Sequence, residues 1–217
     1  MAQRFSDWQI EDWAKVIWTD EAAFNVGGSP GRVFVTRNAS EEFDSSCLLP
    51  RFKKLSTIHV WGCFFGTTKG PLVFWDKSTM GKRITASGYC QYTLPHLEEF
   101  WYECSRNTED YVYILQDGAS VHTANYTTRV LKEKGLYNYL FPWVAKSPDL
   151  NLIEGVWRLM KARINRRLPR PDKNDLMRDA IREEWENITT QDLESLLTSM
   201  PTRIQALIRA QGGHTKY

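Results

Sequence analysis

Two apolar runs that each end in an aspartate constrain the fold of this chain more than any other feature. Residues 16–19 read VIWT and lead into Asp20, and residues 111–116 read YVYILQ and lead into Asp117. β-Branched and aromatic residues crowd both runs, which is typical of buried strands. A buried strand delivers the side chain at its end to the edge of a sheet. The sequence therefore predicts an α/β domain with two carboxylates at a sheet edge.

A third acid lies in segment 145–157, which reads AKSPDLNLIEGVW. The pair Ser147-Pro148 predicts the start of a helix and places Glu154 just inside its first turns. Three carboxylates from two strand ends and a helix would form a pocket for two divalent cations, and oxygen ligands suit Mg²⁺ or Mn²⁺. A chain with 26 acidic residues places some of them at strand ends by chance. The prediction therefore depends on the sequence around each acid.

The remaining hydrophobic patterns predict a mixed five-stranded sheet flanked by helices, with extra helices at the C-terminal end. In chain order, we expect a helix at 7–13, strands at 14–20, 56–65 and 70–75, a helix at 87–105, a strand at 111–116, a helix at 122–134, a strand at 139–141, the helix that starts at Ser147-Pro148, and helices at 172–185 (N-capped by Asp172) and 190–211. This is the element order of a ribonuclease H-like core, in which the first and fourth strands lie side by side.

The length favours one domain, because 217 residues are too few for two ordinary domains. Residues 1–217 are expected to form that domain, with a core at 14–168, an inserted loop or hairpin at 25–55, and C-terminal helices at 172–217. The four cysteines show no metal-binding spacing and are expected to be reduced. No apolar run of membrane-spanning length and no leader is visible, so we expect a soluble protein that is not secreted and has no membrane partner.

Segment 158–170 reads RLMKARINRRLPR and contains no acid. A basic stripe on a helix beside a metal site would bind the phosphates of DNA. The alternative is a solvated helix face without a ligand. The residues of this stripe that we predict to contact DNA are Arg158, Lys161, Arg163, Arg166 and Arg167.

Three segments in this order, WTDEAAF, LQDGASVHTA and PWVAKSPDLNLIEGVW, resemble the catalytic-core signatures of mariner-like transposases of the Tc/mariner superfamily, and the ending GGHTKY is also similar. The resemblance implies a ribonuclease H-like fold and a catalytic, metal-binding triad of Asp20, Asp117 and Glu154. It also implies two Mg²⁺ or Mn²⁺ ions, no small-molecule cofactor, and cleavage of DNA at the ends of a transposon followed by joining of the 3′-hydroxyl to target DNA. In a eukaryotic host it implies a nuclear location.

The sequence departs from the family pattern in places. Gly118-Ala119-Ser120 stands where relatives commonly have Asn-Ala-Pro, and the helix-turn-helix domains that read transposon ends in this family are absent from the chain. Segment 25–55 occupies the position of the family's clamp loop, so it is expected either to mediate a homodimer or DNA contact, or to be a loop with neither role. A domesticated or inactive derivative that binds DNA or protein remains the alternative function.

Several polar residues near the triad have two interpretations. His122 could contact phosphate or order the loop after Asp117, or it could cap or pack a helix. Asn151 could bind a metal-bound water or DNA, or it could bind the backbone. We interpret Asp149 as a favourable charge at a helix start and Trp143 as a core aromatic, although Trp143 could also stack on a splayed base. Glu21 would point to the opposite face of its strand from Asp20, so it is not counted as a ligand.

Overall fold

A four-stranded mixed sheet forms the centre of the molecule. The computed structural model describes residues 2–27, 56–78, 80–81, 83–143, 147–211, 213 and 215. The strands are β1 Val16–Asn25, β2 Thr57–Phe65, β3 Thr68–Trp75 and β4 Tyr113–Leu115. They lie in the order β3-β2-β1-β4, with β1 antiparallel to β2 and parallel to β4. The first and fourth strands are therefore neighbours, as the sequence predicts.

Helices cover both faces of this sheet. They are α1 Ile10–Trp13, α2 Ala86–Gly88, α3 Leu94–Arg106, α4 Ser120–Thr123, α5 Asn125–Glu133, α6 Ile153–Asn165, α7 Asn174–Glu186 and α8 Thr190–Arg209, with a π-helical turn, Tyr89–Thr93, between α2 and α3. One buried cluster joins the sheet to α6, α7 and α8, and a second joins its other face to α3 and α5. Two hydrophobic faces buried by helices explain why residues 16–18 are all buried.

β1 continues beyond the predicted end at residue 20. It runs for ten residues to Asn25 because β2 pairs with its whole length, from Ile17 opposite Phe65 to Asn25 opposite Thr57. Asp20 therefore lies inside the strand and not at its end. The prediction was wrong here because an apolar run reports burial, whereas the end of a strand depends on where its neighbour stops.

The predicted strands at 56–65 and 70–75 are present as β2 and β3, which form a hairpin joined at Gly66-Thr67. Gly66 has φ of 53°, a left-handed conformation that glycine adopts without strain. Gly62 of β2 has a different role, because a Cβ there would lie 2.7 Å from Cη2 of Trp157. The missing side chain lets α6 approach the sheet directly beside Asp20, which is paired with Gly62.

The fifth predicted strand, at 139–141, is not a strand. Among the described residues, Tyr137–Tyr139 form a 3₁₀ turn, and Leu140 makes one parallel bridge to Ile114. The backbone N–H of Phe141 donates to Ile114 O at 2.7 Å, but the next residue is Pro142, which has no N–H to extend a ladder. The described sheet thus has four strands and one edge bridge.

Two helix starts differ from the sequence predictions. α6 begins at Ile153, after a 3₁₀ turn at Pro148–Leu150, so Asn151 precedes the helix that carries Glu154. α7 begins at Asn174, with Lys173 as its N-cap residue in place of the predicted Asp172. α8 begins after Thr189, whose hydroxyl accepts from the backbone N–H of Asp192 and forms a capping box with it.

The other expectations for the chain have mixed outcomes. Cys63, Cys90 and Cys104 are free, buried thiols. No helix among the residues the structure describes is long and apolar enough to cross a membrane. Most of the predicted 25–55 insertion, from residue 28 onwards, and Cys47 lie outside the described residues.

Candidate active site

Two of the predicted acids lie where the pairing of β1 with β4 ends. The last parallel pair is Trp18 with Leu115, and each strand reaches its aspartate two residues further on. In parallel strands, residues in register project to the same face of the sheet, and neighbouring strands are about 4.8 Å apart. A hydrogen bond from Thr19 Oγ1 to Leu115 O, 2.7 Å long and buried, holds the two chains together just before the acids.

The third acid, Glu154, is delivered by α6. Trp157 packs one turn further along α6 against Gly62, the β2 partner of Asp20, and stacks on Trp185 of α7 with ring centroids 5.5 Å apart. Just before the helix, the Asn151 amide donates to Thr19 O at 3.1 Å. These contacts fix the start of α6 on β1. The side chains of Asp20 and Glu154 consequently share a hydrogen bond.

Asp20 resists ionisation in this setting. Burial is the largest cause, and the nearby charges of Glu21 and Glu154 add to it, so the pKa of Asp20 rises from 3.8 to about 8, although a backbone N–H of Glu21 opposes the shift. No Lys, Arg or His among the described residues forms an ion pair with Asp20 or Glu154. Ionisation of both carboxyl groups would place two negative charges together without a counter-charge among the described residues.

Asp117 has a different environment from that pair. Its Oδ1 lies 2.7 Å from Nδ1 of His122 and accepts the backbone N–H of Ala119 at 2.9 Å. The hydrogen bond from His122 lowers the pKa of Asp117, against a smaller opposing effect of burial. With its pKa lowered in this way, the half-buried Asp117 is ionised at neutral pH.

His122 lies between two carboxylates. Its Nε2 is 3.5 Å from Oε1 of Glu21, and its side chain is 4% exposed. Burial lowers the pKa of His122, but hydrogen bonding and charge interactions with Asp117 and Glu21 raise it to about 9. The imidazole is therefore a buried cation at neutral pH, which favours the loop-ordering interpretation of His122.

The chemistry of the donor set fits a hard divalent cation. Carboxylate oxygens are the ligands that Mg²⁺ prefers, and one or two of them suffice beside water and substrate phosphate. Asp20 and Glu154 supply that number together, and Asp117 follows β4, two residues beyond its last pair with β1. Within the described ranges, no three His, Cys, Asp or Glu side chains converge closely enough to hold an ion by themselves.

The secondary candidates have structural contacts. Asn151 is 3% exposed and binds the backbone of β1. Asp149 accepts a hydrogen bond from Thr215 at 3.2 Å through its side chain. Trp143 packs edge-on against Trp18, with ring centroids 6.1 Å apart, as a partly buried part of the core.

The basic stripe divides between two sides of α6. Arg163 pairs with Asp192 at 3.0 Å, and Arg167 pairs with Glu183 at 2.8 Å and also with Glu184. Arg158 and Arg166 are exposed, and Lys161 Nζ lies 5.4 Å from the ring centroid of Phe24.

The sequence analysis did not assign Glu21, Tyr89 or Gln116 to the site. Tyr89 is fully buried, its ring meets His122 edge-on with centroids 4.8 Å apart, and its hydroxyl accepts a hydrogen bond from the amide of Gln116. Strand alternation placed Glu21 on the apolar face of β1, and an acid on such a face requires a partner. That requirement was the available signal, but it does not identify His122.

The fold and these acids define a class of protein. The described structure superposes on the crystal structure of the catalytic domain of the Mos1 mariner transposase with a TM-score of 0.70, covering 99% of this chain and 90% of that one at 14% sequence identity. At this identity the match shows a shared fold, the ribonuclease H-like architecture of transposase catalytic domains. The four-stranded sheet, in place of five strands, does not alter that assignment.

Sequence comparison gives the family. Residues 81–177 match the family described as DDE superfamily endonuclease. The Tcb2 transposase of Caenorhabditis briggsae is 30% identical over 212 residues, which cover 97% of this chain and 73% of that protein. The Tc1 transposase of Caenorhabditis elegans is 29% identical over 221 residues, with the same coverage of 97% and 73%. The chain therefore belongs to the Tc1 and mariner group of DDE transposases and contains its catalytic domain.

Proposed function

We propose that this domain hydrolyses phosphodiester bonds at transposon ends and joins the resulting 3′-hydroxyl to target DNA, using two Mg²⁺ or Mn²⁺ ions held by Asp20, Asp117 and Glu154. The observation that carries the proposal is the partly buried carboxyl pair of Asp20 and Glu154, beside the end of β4 that Asp117 follows. Such a pair has no counter-charge among the described residues, and a divalent cation would supply one.

Each acid has a distinct task in this proposal. Asp20 lies on β1, between α6 and β4, so it would contribute to holding both ions, while Asp117 and Glu154 would each help to hold one. When bound, the ions activate the attacking water or hydroxyl and neutralise the departing oxygen. Rigid placement of all three carboxylates by β1, β4 and α6 would let them act without rearrangement, which lowers the barrier to the reaction.

Solved relatives support the choice of metal and nucleic acid. Mos1 mariner transposase has been solved as a paired-end complex with Mn, as a paired-end complex with Mg, and as a strand transfer complex. By this analogy, the partners of our chain are transposon ends and target DNA, two copies act together on paired ends through segment 25–55, and a eukaryotic host would contain the protein in its nucleus.

The spacing of cations along α6 supports a path for bound DNA that runs along this helix from Glu154. Arg158 and Lys161 follow Glu154 by four and seven residues, so they lie on the same helix face as that acid. Phosphates placed at the metal site would therefore meet positive charge along the next two turns of the helix. Arg166, the C-cap residue of α6, is a further exposed cation available for this contact.

The direct test is metal-dependent nicking of supercoiled plasmid DNA by the full chain, together with joining of a 3′-hydroxyl oligonucleotide to that plasmid. We expect activity with Mn²⁺ or Mg²⁺ and none with a chelator. Asp20→Asn, Asp117→Asn and Glu154→Gln should each lower the rate by about a thousandfold or more, because each removes a ligand charge while keeping the side-chain shape.

Asp179→Asn is the matched control, because Asp179 is an exposed acid of α7 paired only with nearby Arg182. It should cleave like the wild type. Equal rates in the wild type, the three site variants and the control would show that the nicking is a contaminant, and would remove the proposal in favour of a DNA- or protein-binding module.

A further inference from the structure

A partly buried acid and a buried histidine lie next to Asp117, on the side of β1 opposite Asp20. Glu21 belongs to β1, and His122 belongs to the short helix α4, which follows the loop after Asp117. Oε1 of Glu21 and Nε2 of His122 are fully enclosed, and neither forms a hydrogen bond with a described residue. They face each other at 3.5 Å, so each is the other's ion-pair partner.

The surroundings offer Glu21 few other polar partners. Its carboxylate lines a cavity of about 10 Å³, whose other walls are Thr93 and five apolar residues. A cavity of this size holds about one water molecule at most. Enclosing a carboxylate oxygen in such a place is costly unless a polar partner compensates it, and the His122 ring is the partner nearest to it among the described residues.

The Nδ1 side of the His122 ring faces Asp117. Nδ1 of His122 lies 2.7 Å from Oδ1 of Asp117, and the same oxygen accepts the N–H of Ala119. Both of these hydrogen bonds to Asp117 are therefore made by one oxygen. The second oxygen, Oδ2, remains for another ligand, and the orientation of the carboxylate depends on the position of the His122 ring.

The ring is itself held from the side. Tyr89 contacts its edge, and the hydroxyl of Tyr89 accepts from Gln116, the residue that precedes Asp117. Contacts on residues 116 and 122 thus restrain the loop between β4 and α4 from both ends. Glu21 fixes the ring at Nε2, on the side opposite Asp117.

We infer that Glu21 is a positioning residue, which acts through His122 to hold the carboxylate of Asp117 in its metal-binding orientation. This inference rests on the proposed function of Asp117. Groups that orient a metal ligand without touching the metal typically change metal affinity or activity by about 10- to 100-fold when they are removed. The same range is expected for Glu21.

Asparagine and glutamine can replace the two ring nitrogens of histidine separately. In His122→Asn the amide nitrogen can take the place of Nδ1 and still donate to Asp117, but the side chain no longer reaches Glu21. In His122→Gln the amide can reach toward Glu21 but not Asp117. Glu21→Gln keeps the shape of the acid and removes its charge. The isosteric control is Thr127→Val, which removes the hydrogen bond from Thr127 to Val121 O and the one that Thr127 accepts from Cys90, without touching Glu21, His122 or Asp117.

The experiment measures Mn²⁺ affinity by titration calorimetry, and nicking rate at saturating Mn²⁺, for the full chain at temperatures where all variants are folded. We expect Glu21→Gln to weaken Mn²⁺ binding about tenfold, His122→Gln to weaken it at least as much, and His122→Asn to retain more affinity than His122→Gln. Thr127→Val should lose thermal stability but keep the Mn²⁺ affinity of the wild type.

The double variant Glu21→Gln/His122→Asn decides whether Glu21 acts through His122. We expect Glu21→Gln to change the Mn²⁺ affinity less than about twofold in the His122→Asn background, because the asparagine no longer contacts Glu21. A full tenfold effect there, or a Glu21→Gln variant that binds Mn²⁺ like an active wild type, would overturn the inference alone. A wild type that neither binds Mn²⁺ nor nicks DNA would overturn the proposed function, and the inference with it.

Discussion

At the residue scale, Asp20 lies where a negative charge destabilises the metal-free protein. Its pKa of about 8 in the folded state lies above 3.8, the ordinary value. The folded state therefore binds the proton more tightly than the unfolded chain, so this stabilising contribution is complete below about pH 4 and is lost as the pH rises through about 8. We predict that Asp20→Asn increases the free energy of unfolding by about 2 kcal/mol at neutral pH while abolishing cleavage.

Urea unfolding in the presence of a chelator measures this effect. The stability difference between Asp20→Asn and the wild type should be small at about pH 4 and should grow as the pH approaches about 8. Asp179→Asn should show no such trend, since that acid is exposed. An Asp20→Asn variant that is less stable than the wild type at every pH would contradict the idea that the surroundings disfavour the charged form of Asp20.

At the element scale, the cations in and just after α6 divide into those with ion pairs and those without among the described residues. Arg158, Lys161 and Arg166 make no ion pair among the described residues, whereas Arg163 and Arg167 connect α6 to α8 and α7. We predict that replacing the first three by Gln weakens binding to all DNA sequences and reduces the slope of log affinity against log salt by up to about 0.9 for each phosphate that the protein no longer neutralises. Fluorescence anisotropy across a range of salt concentrations measures both quantities.

Arg163→Gln is the contrasting variant on the same helix. It removes the pair with Asp192 and a hydrogen bond to Asn187 O, so it should lower the free energy of unfolding by about 1 kcal/mol and leave the salt slope unchanged. Equal losses of DNA binding from the two faces of α6 would show that the ion pairs open to admit DNA.

At the scale of the whole molecule, the site exists only when three separate parts of the chain are packed together. Asp20, Asp117 and Glu154 lie on β1, after β4 and on α6, so the unfolded chain has no equivalent site. We predict that Mn²⁺ raises the melting temperature, because a ligand that binds only the folded state adds about 2.7 kcal/mol at a hundred times its dissociation constant. Differential scanning fluorimetry with increasing Mn²⁺ measures the shift.

Glu154→Gln should greatly reduce this stabilisation, and Asp179→Asn should retain it. Ca²⁺ offers a further comparison, since it also prefers oxygen ligands but accepts larger and more irregular sites. The absence of any Mn²⁺ effect on the wild type would mean that the carboxylates do not form a metal site without DNA.

The sequence by itself determined which segments are buried and to which family the chain belongs. Apolar runs around residues 16–19 and 111–116 predicted two neighbouring strands, and the motifs around Asp20, Asp117 and Glu154 predicted the family that the comparisons confirm. Strand and helix periodicities are local properties, so they can be read from short windows of sequence. The predicted start of α8 at residue 190 is correct for the same reason.

Only the tertiary structure decided how those segments meet. The true end of β1 depends on its pairing with β2. The segment predicted as a fifth strand forms only one bridge to β4, between Leu140 and Ile114. The ion pair of Glu21 with His122, and the division of basic residues on α6 between two roles, depend on side chains far apart in the chain. Such contacts are set by packing between elements, which no local pattern of residues records.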